Sequence, residues 1–146
     1  MLRAHSRSWP MAAPPPGRPC WSWQPQRLCE LPAVRRELRR SLAQDDVSAS
    51  AEQDELHEQL VLVLDELLSN ALRHGRCPVA AAVHRTDSGW MLLVSDSAAQ
   101  VPPHPDPERD PARGGLGLGM VADLTSAHGW CSDGGRKHVW AVLTSA

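Results

Sequence analysis

The stretch Asp65-Glu66-Leu67-Leu68-Ser69-Asn70-Ala71-Leu72-Arg73-His74-Gly75 decides how this chain is read. Glu66, Asn70 and His74 stand at i, i+4 and i+8, which sets them on one face of a helix. Leu67, Leu68, Ala71 and Leu72 give the same helix a broad apolar side. A carboxylate and a carboxamide beside a buried face need partners, because an unpaired buried polar group costs roughly 1–3 kcal/mol or more. Two readings follow: a solvent-facing polar stripe, or a site in which a metal ion and phosphates supply the partners.

Outward from this stretch, the apolar positions Leu56, Leu60, Val63 and Leu64 extend the helix back to about Asp54, with Ser50 or Asp54 as its cap. Gly75 stops it in the position that helix C-termini favour. Before it, Leu31-Pro32-Ala33 opens a second helix whose stripe is Val34, Leu38 and Leu42, and Trp21-Ser22-Trp23 alternates like an edge strand. Residues 1–19, rich in Pro, Ala and Arg without periodicity, are expected to be a disordered lead-in, leaving 20–146 as one domain.

After Gly75 come extended runs at 79–86 and 90–95, split by the turn residues Asp87-Ser88-Gly89. The connection 98–113 holds five prolines and several charges and has the character of a lid. Gly114-Gly115-Leu116-Gly117-Leu118-Gly119 follows, then a helical stripe of Met120, Val121 and Leu124 expected to run up to Gly129. A second hairpin, 130–132 and 137–144 around Asp133-Gly134-Gly135, completes the chain. This order predicts an α+β two-layer sandwich, a mixed and mostly antiparallel sheet with helices on one face.

Composition narrows the function. The 146 residues suit one domain, and six Trp carry all the aromatic bulk because Phe and Tyr are absent. With a net charge of -2 and no basic face, a nucleic-acid partner is disfavoured. Cys20, Cys29, Cys77 and Cys131 have no metal-ligand spacing and read as free thiols in a reducing compartment. Prolines interrupt the would-be signal peptide after Arg3 and Arg7, and no apolar run is long enough to span a membrane, so a cytoplasmic protein is expected.

Two further features accompany the helix. Met91-Leu92-Leu93-Val94-Ser95-Asp96 is an apolar strand ending in a carboxylate, either a turn-forming Asp or an acceptor for a base amino group. The glycine run before Leu118 is either a flexible linker or a phosphate cradle at a helix N-terminus. In this order the three resemble the histidine-kinase-like ATPase superfamily, the Bergerat ATP-binding fold. The phrase Glu-Leu-Leu-Ser-Asn-Ala-Leu-Arg-His-Gly is most similar to the small bacterial anti-sigma factor serine kinases, over about residues 21–146.

That resemblance implies ATP and Mg²⁺ as cofactors. It makes Glu66 the general base, Asn70 the Mg²⁺ ligand and Asp96 the adenine acceptor. Gly115, Gly117 and Leu118, through the first amides of the helix, would hold the phosphates, and Arg109 or Arg113 would reach the terminal phosphate. One departure is Ala98, where the family's Asp-x-Gly has glycine and where a methyl group would crowd the nucleotide or restrict the backbone. The implied function is a protein serine/threonine kinase that switches between a sigma factor and an antagonist protein whose serine it phosphorylates. The alternative is a regulatory binding module without kinase activity. The sequence leaves open whether the chain forms a homodimer. His57 lies nine residues before Glu66 on the same predicted helix, too close to serve as a separately presented phosphoaccepting histidine.

Overall fold

The computed structural model describes residues 9–45, 50–103 and 117–145. Five strands, β1 (Arg18–Trp23), β2 (Ala80–Arg85), β3 (Gly89–Asp96), β4 (Ala127–Asp133) and β5 (Arg136–Thr144), form one sheet in the order β1-β2-β3-β5-β4. All four neighbouring pairs are antiparallel. Period-two alternation sends Val83, Leu92, Val94, Val139, Ala141 and Leu143 to the face covered by helices, where they join the main apolar cluster. The predicted α+β sandwich is the architecture found.

Helix α1 (Leu31–Asp45) buries Leu31, Val34, Leu38 and Leu42, the stripe expected from their spacing. Helix α2 (Ala51–His74) is capped by the Ser50 hydroxyl, which accepts from the Gln53 amide at 3.3 Å. Leu60, Leu64 and Leu68 of α2 are almost wholly buried. Each such leucine contributes about 1.5–3 kcal/mol of hydrophobic stabilisation, so α2 is the centre of the core. Arg35–Asp65 at 2.6 Å and the two-bonded Arg39–Glu58 pair at 3.2 and 3.3 Å join α1 to α2 along their outer edges.

Two expectations need correction. Helix α3 (Gly117–Leu124) does not reach Gly129: it ends at Leu124, and Ala127 to Gly129 already pair with β5. The pairing energy of a full ladder overrides the helical spacing there. Nor is the segment from Trp9 to Pro19 disordered; residues 1–8 lie outside the described residues. Trp9 is buried, with its ring 4.7 Å from that of His128. The Ala12 amide donates to the Trp130 carbonyl at 2.9 Å, the Trp130 amide to the Pro10 carbonyl at 3.0 Å, and the Trp140 indole N–H to the Ala12 carbonyl at 2.9 Å. Gly17 then lies against His84 of β2. Residues 10–12 thus run parallel along the outer edge of β4, with Trp9 in the main apolar cluster, and only the chain beyond Ala12 leads toward Gly17 as a strap on the side that bears Met91, Trp140 and Val142. Proline-rich chain needs few hydrogen bonds of its own, so three bonds and one anchoring indole suffice to seat it.

Candidate functional site

Glu66 and Asn70 project from successive turns of α2. Glu66 is 5% exposed, and its Oε2 accepts a hydrogen bond from the Gly117 amide at 3.3 Å. That amide opens α3, whose first N–H groups have no partners within the helix and carry the positive end of its dipole. A carboxylate from the middle of α2 therefore complements the start of α3. Gly117 has φ +76°, a left-handed conformation that favours glycine, so the chain turns into α3 at a residue suited to it.

Asn70 is half-buried and makes no side-chain hydrogen bond among the described residues. Its carboxamide, one turn beyond Glu66, is available to a hard cation. No group of three or more His, Cys, Asp or Glu among the described residues could hold a metal alone. A cation at Asn70 would therefore bring most of its ligands with it, as Mg²⁺ does when it arrives on phosphates. The donor set fits Mg-nucleotide on this ground. His74, the third member of the predicted face, is exposed at the end of α2.

Asp96 ends β3 and is 2% exposed. Its Oδ1 accepts from the Ala98 amide at 2.7 Å, and its Oδ2 lies 3.5 Å from the Lys137 ammonium, which is also buried. Gly75, read from the sequence as a helix stop, has a second role. Its backbone is not left-handed (φ -85°), and a Cβ there would lie 2.5 Å from Asp96 Oδ2 and 2.6 Å from the Ala71 carbonyl. Only glycine lets the end of α2 approach the carboxylate this closely. The Ser97 amide donates to the Arg76 carbonyl at 2.8 Å, and the Arg136 guanidinium donates to Ser97 Oγ at 3.0 Å. The first bond fastens the segment after β3 to the segment after α2, and the second ties it to the start of β5.

Ala98 is buried, and no described non-glycine residue has positive φ, so the alanine fits its loop without backbone strain. Leu118 packs its side chain into the main cluster, which leaves only its backbone amide for a ligand. Arg109, Arg113 and Gly115, with the body of the expected lid, lie outside the described residues. His57 stands edge-on to Trp90 at 6.5 Å on α2. Lys137 joins the site without having been expected there. Its signal was there in the alternation of Lys137, Val139, Ala141 and Leu143, which puts a lysine on the inward face, but the carboxylate opposite emerges only from the β3–β5 register pairing Asp96 with Lys137.

Two comparisons bear on this arrangement. A family model described as a histidine kinase-like ATPase domain matches residues 25–143. A sensor histidine kinase component of Mycobacterium tuberculosis is 35% identical over 98 residues, which cover 60% of this chain and 56% of that protein. The chain thus matches little more than half the length of that relative.

Proposed function

We infer, because this chain belongs to the histidine kinase-like ATPase family, that it binds Mg-ATP among α2, the end of β3 and the start of α3, and phosphorylates a serine of a small antagonist protein. On this reading it is an anti-sigma-factor-type serine/threonine kinase, with a sigma factor as its second protein partner. The observation that carries the proposal is the Glu66–Gly117 hydrogen bond, which joins a buried carboxylate to amides suited to phosphate.

The roles follow from the chemistry of each group. Asn70 would ligate Mg²⁺, Asp96 would accept from the adenine amino group, and the Gly117 and Leu118 amides would donate to phosphate oxygens. Bound Mg-ATP supplies the electrophilic phosphoryl group. With the Gly117 amide engaged by a phosphate oxygen, Glu66 would be placed to accept the proton of the attacking serine hydroxyl, whose oxygen displaces ADP in line from the terminal phosphorus. The family resemblance adds Gly115 to the phosphate cradle and Arg113 to the terminal phosphate.

The similarity to a sensor histidine kinase component favours a second reading, in which the chain holds ATP for transfer to a histidine of another protein. Incubation with labelled Mg-ATP and candidate acceptors separates the two. Acid-stable phosphoserine on an antagonist supports the serine kinase, whereas acid-labile phosphate on a histidine supports the second reading. No transfer, with Glu66→Gln behaving as the parent, leaves a regulatory binding module and overturns both.

A further inference from the structure

The Asp96–Lys137 pair has spare hydrogen-bonding capacity on both sides. Oδ1 of Asp96 is engaged by the Ala98 amide at 2.7 Å, but Oδ2 meets Lys137 Nζ only at 3.5 Å, beyond the length of a good hydrogen bond. The ammonium has three N–H donors. One goes to the Val101 carbonyl at 2.9 Å and one faces Asp96, so a third has no partner among the described residues. Both side chains are almost fully buried, where unspent capacity is costly. A buried acceptor and a buried donor thus stand side by side, fixed by the β3–β5 register on the helix-facing side of the sheet.

The two groups stand 3.5 Å apart, a separation that one ligand edge can bridge. The group that satisfies both carries a donor and an acceptor on neighbouring atoms of one edge. Adenine presents that pair as its 6-amino group and ring N1. Building on the nucleotide-site reading, we propose that Lys137 is a specificity-determining residue of the base subsite, donating to adenine N1 while Asp96 accepts from the 6-amino group. The ammonium also keeps the carboxylate paired when no base is present, through the same bond network that reaches Val101.

Calorimetric titration with Mg-ATP, Mg-1-deaza-ATP (C–H in place of N1) and Mg-7-deaza-ATP tests this on the parent protein and Lys137→Met. The parent should bind 1-deaza-ATP about tenfold or more weakly than ATP, the loss expected for a hydrogen bond from a charged donor, and 7-deaza-ATP as well as ATP. In Lys137→Met, ATP and 1-deaza-ATP should bind within about twofold of each other. Equal binding of ATP and 1-deaza-ATP by the parent overturns the inference, as does a Lys137→Met variant that weakens both alike and keeps their ratio. A loss confined to 7-deaza-ATP overturns the N1 assignment. A parent that binds none of the three at millimolar concentration overturns the nucleotide site itself. Should Lys137→Met not fold, the parent's three affinities decide alone.

Discussion

Glu66 and Gly117, 51 residues apart in sequence, meet through a 3.3 Å hydrogen bond from the Gly117 amide to the Glu66 carboxylate. That bond joins the start of α3 to the middle of α2. It also makes one side chain both a structural cap and a candidate base, and the two roles can be separated. Glu66→Gln keeps an oxygen acceptor but no base. It is expected to leave the melting temperature within a few degrees of the parent and to lower phosphotransfer by about 10²–10⁴-fold. Glu66→Ala, which takes the carboxylate partner from the half-buried Gly117 amide, should cost about 1–3 kcal/mol in chemical denaturation as well. Transfer by Glu66→Gln at the parental rate would remove Glu66 from the chemistry.

Gly75 sits where any side chain would press on Asp96 Oδ2 and the Ala71 carbonyl. Gly75→Ala should therefore destabilise the fold by about 1–3 kcal/mol, the usual cost of overpacking, and weaken nucleotide binding by moving Asp96. Equilibrium urea denaturation and a nucleotide titration of the same preparation check both halves of this expectation.

The strap makes a separate prediction. Trp9→Ala removes its buried anchor and should cost about 3–5 kcal/mol. It should also raise the accessibility of the Met91, Trp140 and Val142 cluster, read as faster exchange of the Trp140 indole N–H. Unchanged stability and exchange would mean that the segment does not hold the sheet face.

His128 gives the pH dependence. Burial lowers its pKa from 6.5, against a smaller opposing pull from Asp123. Because the folded value lies below the unfolded one, the unfolded chain binds more protons between them. Stability from this group is complete above about 6.5 and falls as pH drops from there toward the lowered folded value. His128→Gln should flatten that part of the stability–pH curve, measured by urea denaturation from neutral to mildly acid pH.

Much of this architecture was legible in the sequence because its signals are local. The leucine spacing of α2, the Val34-Leu38-Leu42 stripe and the turn residues at 87–89 each act within a few positions, and their elements stand where expected. The strap was not legible: Pro14, Pro15 and Pro16 carry no period, and only docking against Trp130 and Trp140 orders the segment they belong to. Gly75 was placed correctly for the wrong reason, since its need for glycine comes from Asp96, 21 residues later, and not from a left-handed backbone. Lys137 illustrates the same limit. Its meaning lies in cross-strand register, which no spacing within β5 reveals.

Asn70, Asp96 and the start of α3 together form the proposed nucleotide site. Isothermal titration of Mg-ATP into the parent, Asn70→Ala and Asp96→Asn, with circular dichroism confirming that each is folded, tests it most directly. Saturable binding is expected for the parent and at least about tenfold weaker binding for both variants, the cost of one charge-assisted contact. No binding by the parent at millimolar Mg-ATP, or folded variants that bind as tightly as the parent, would contradict it.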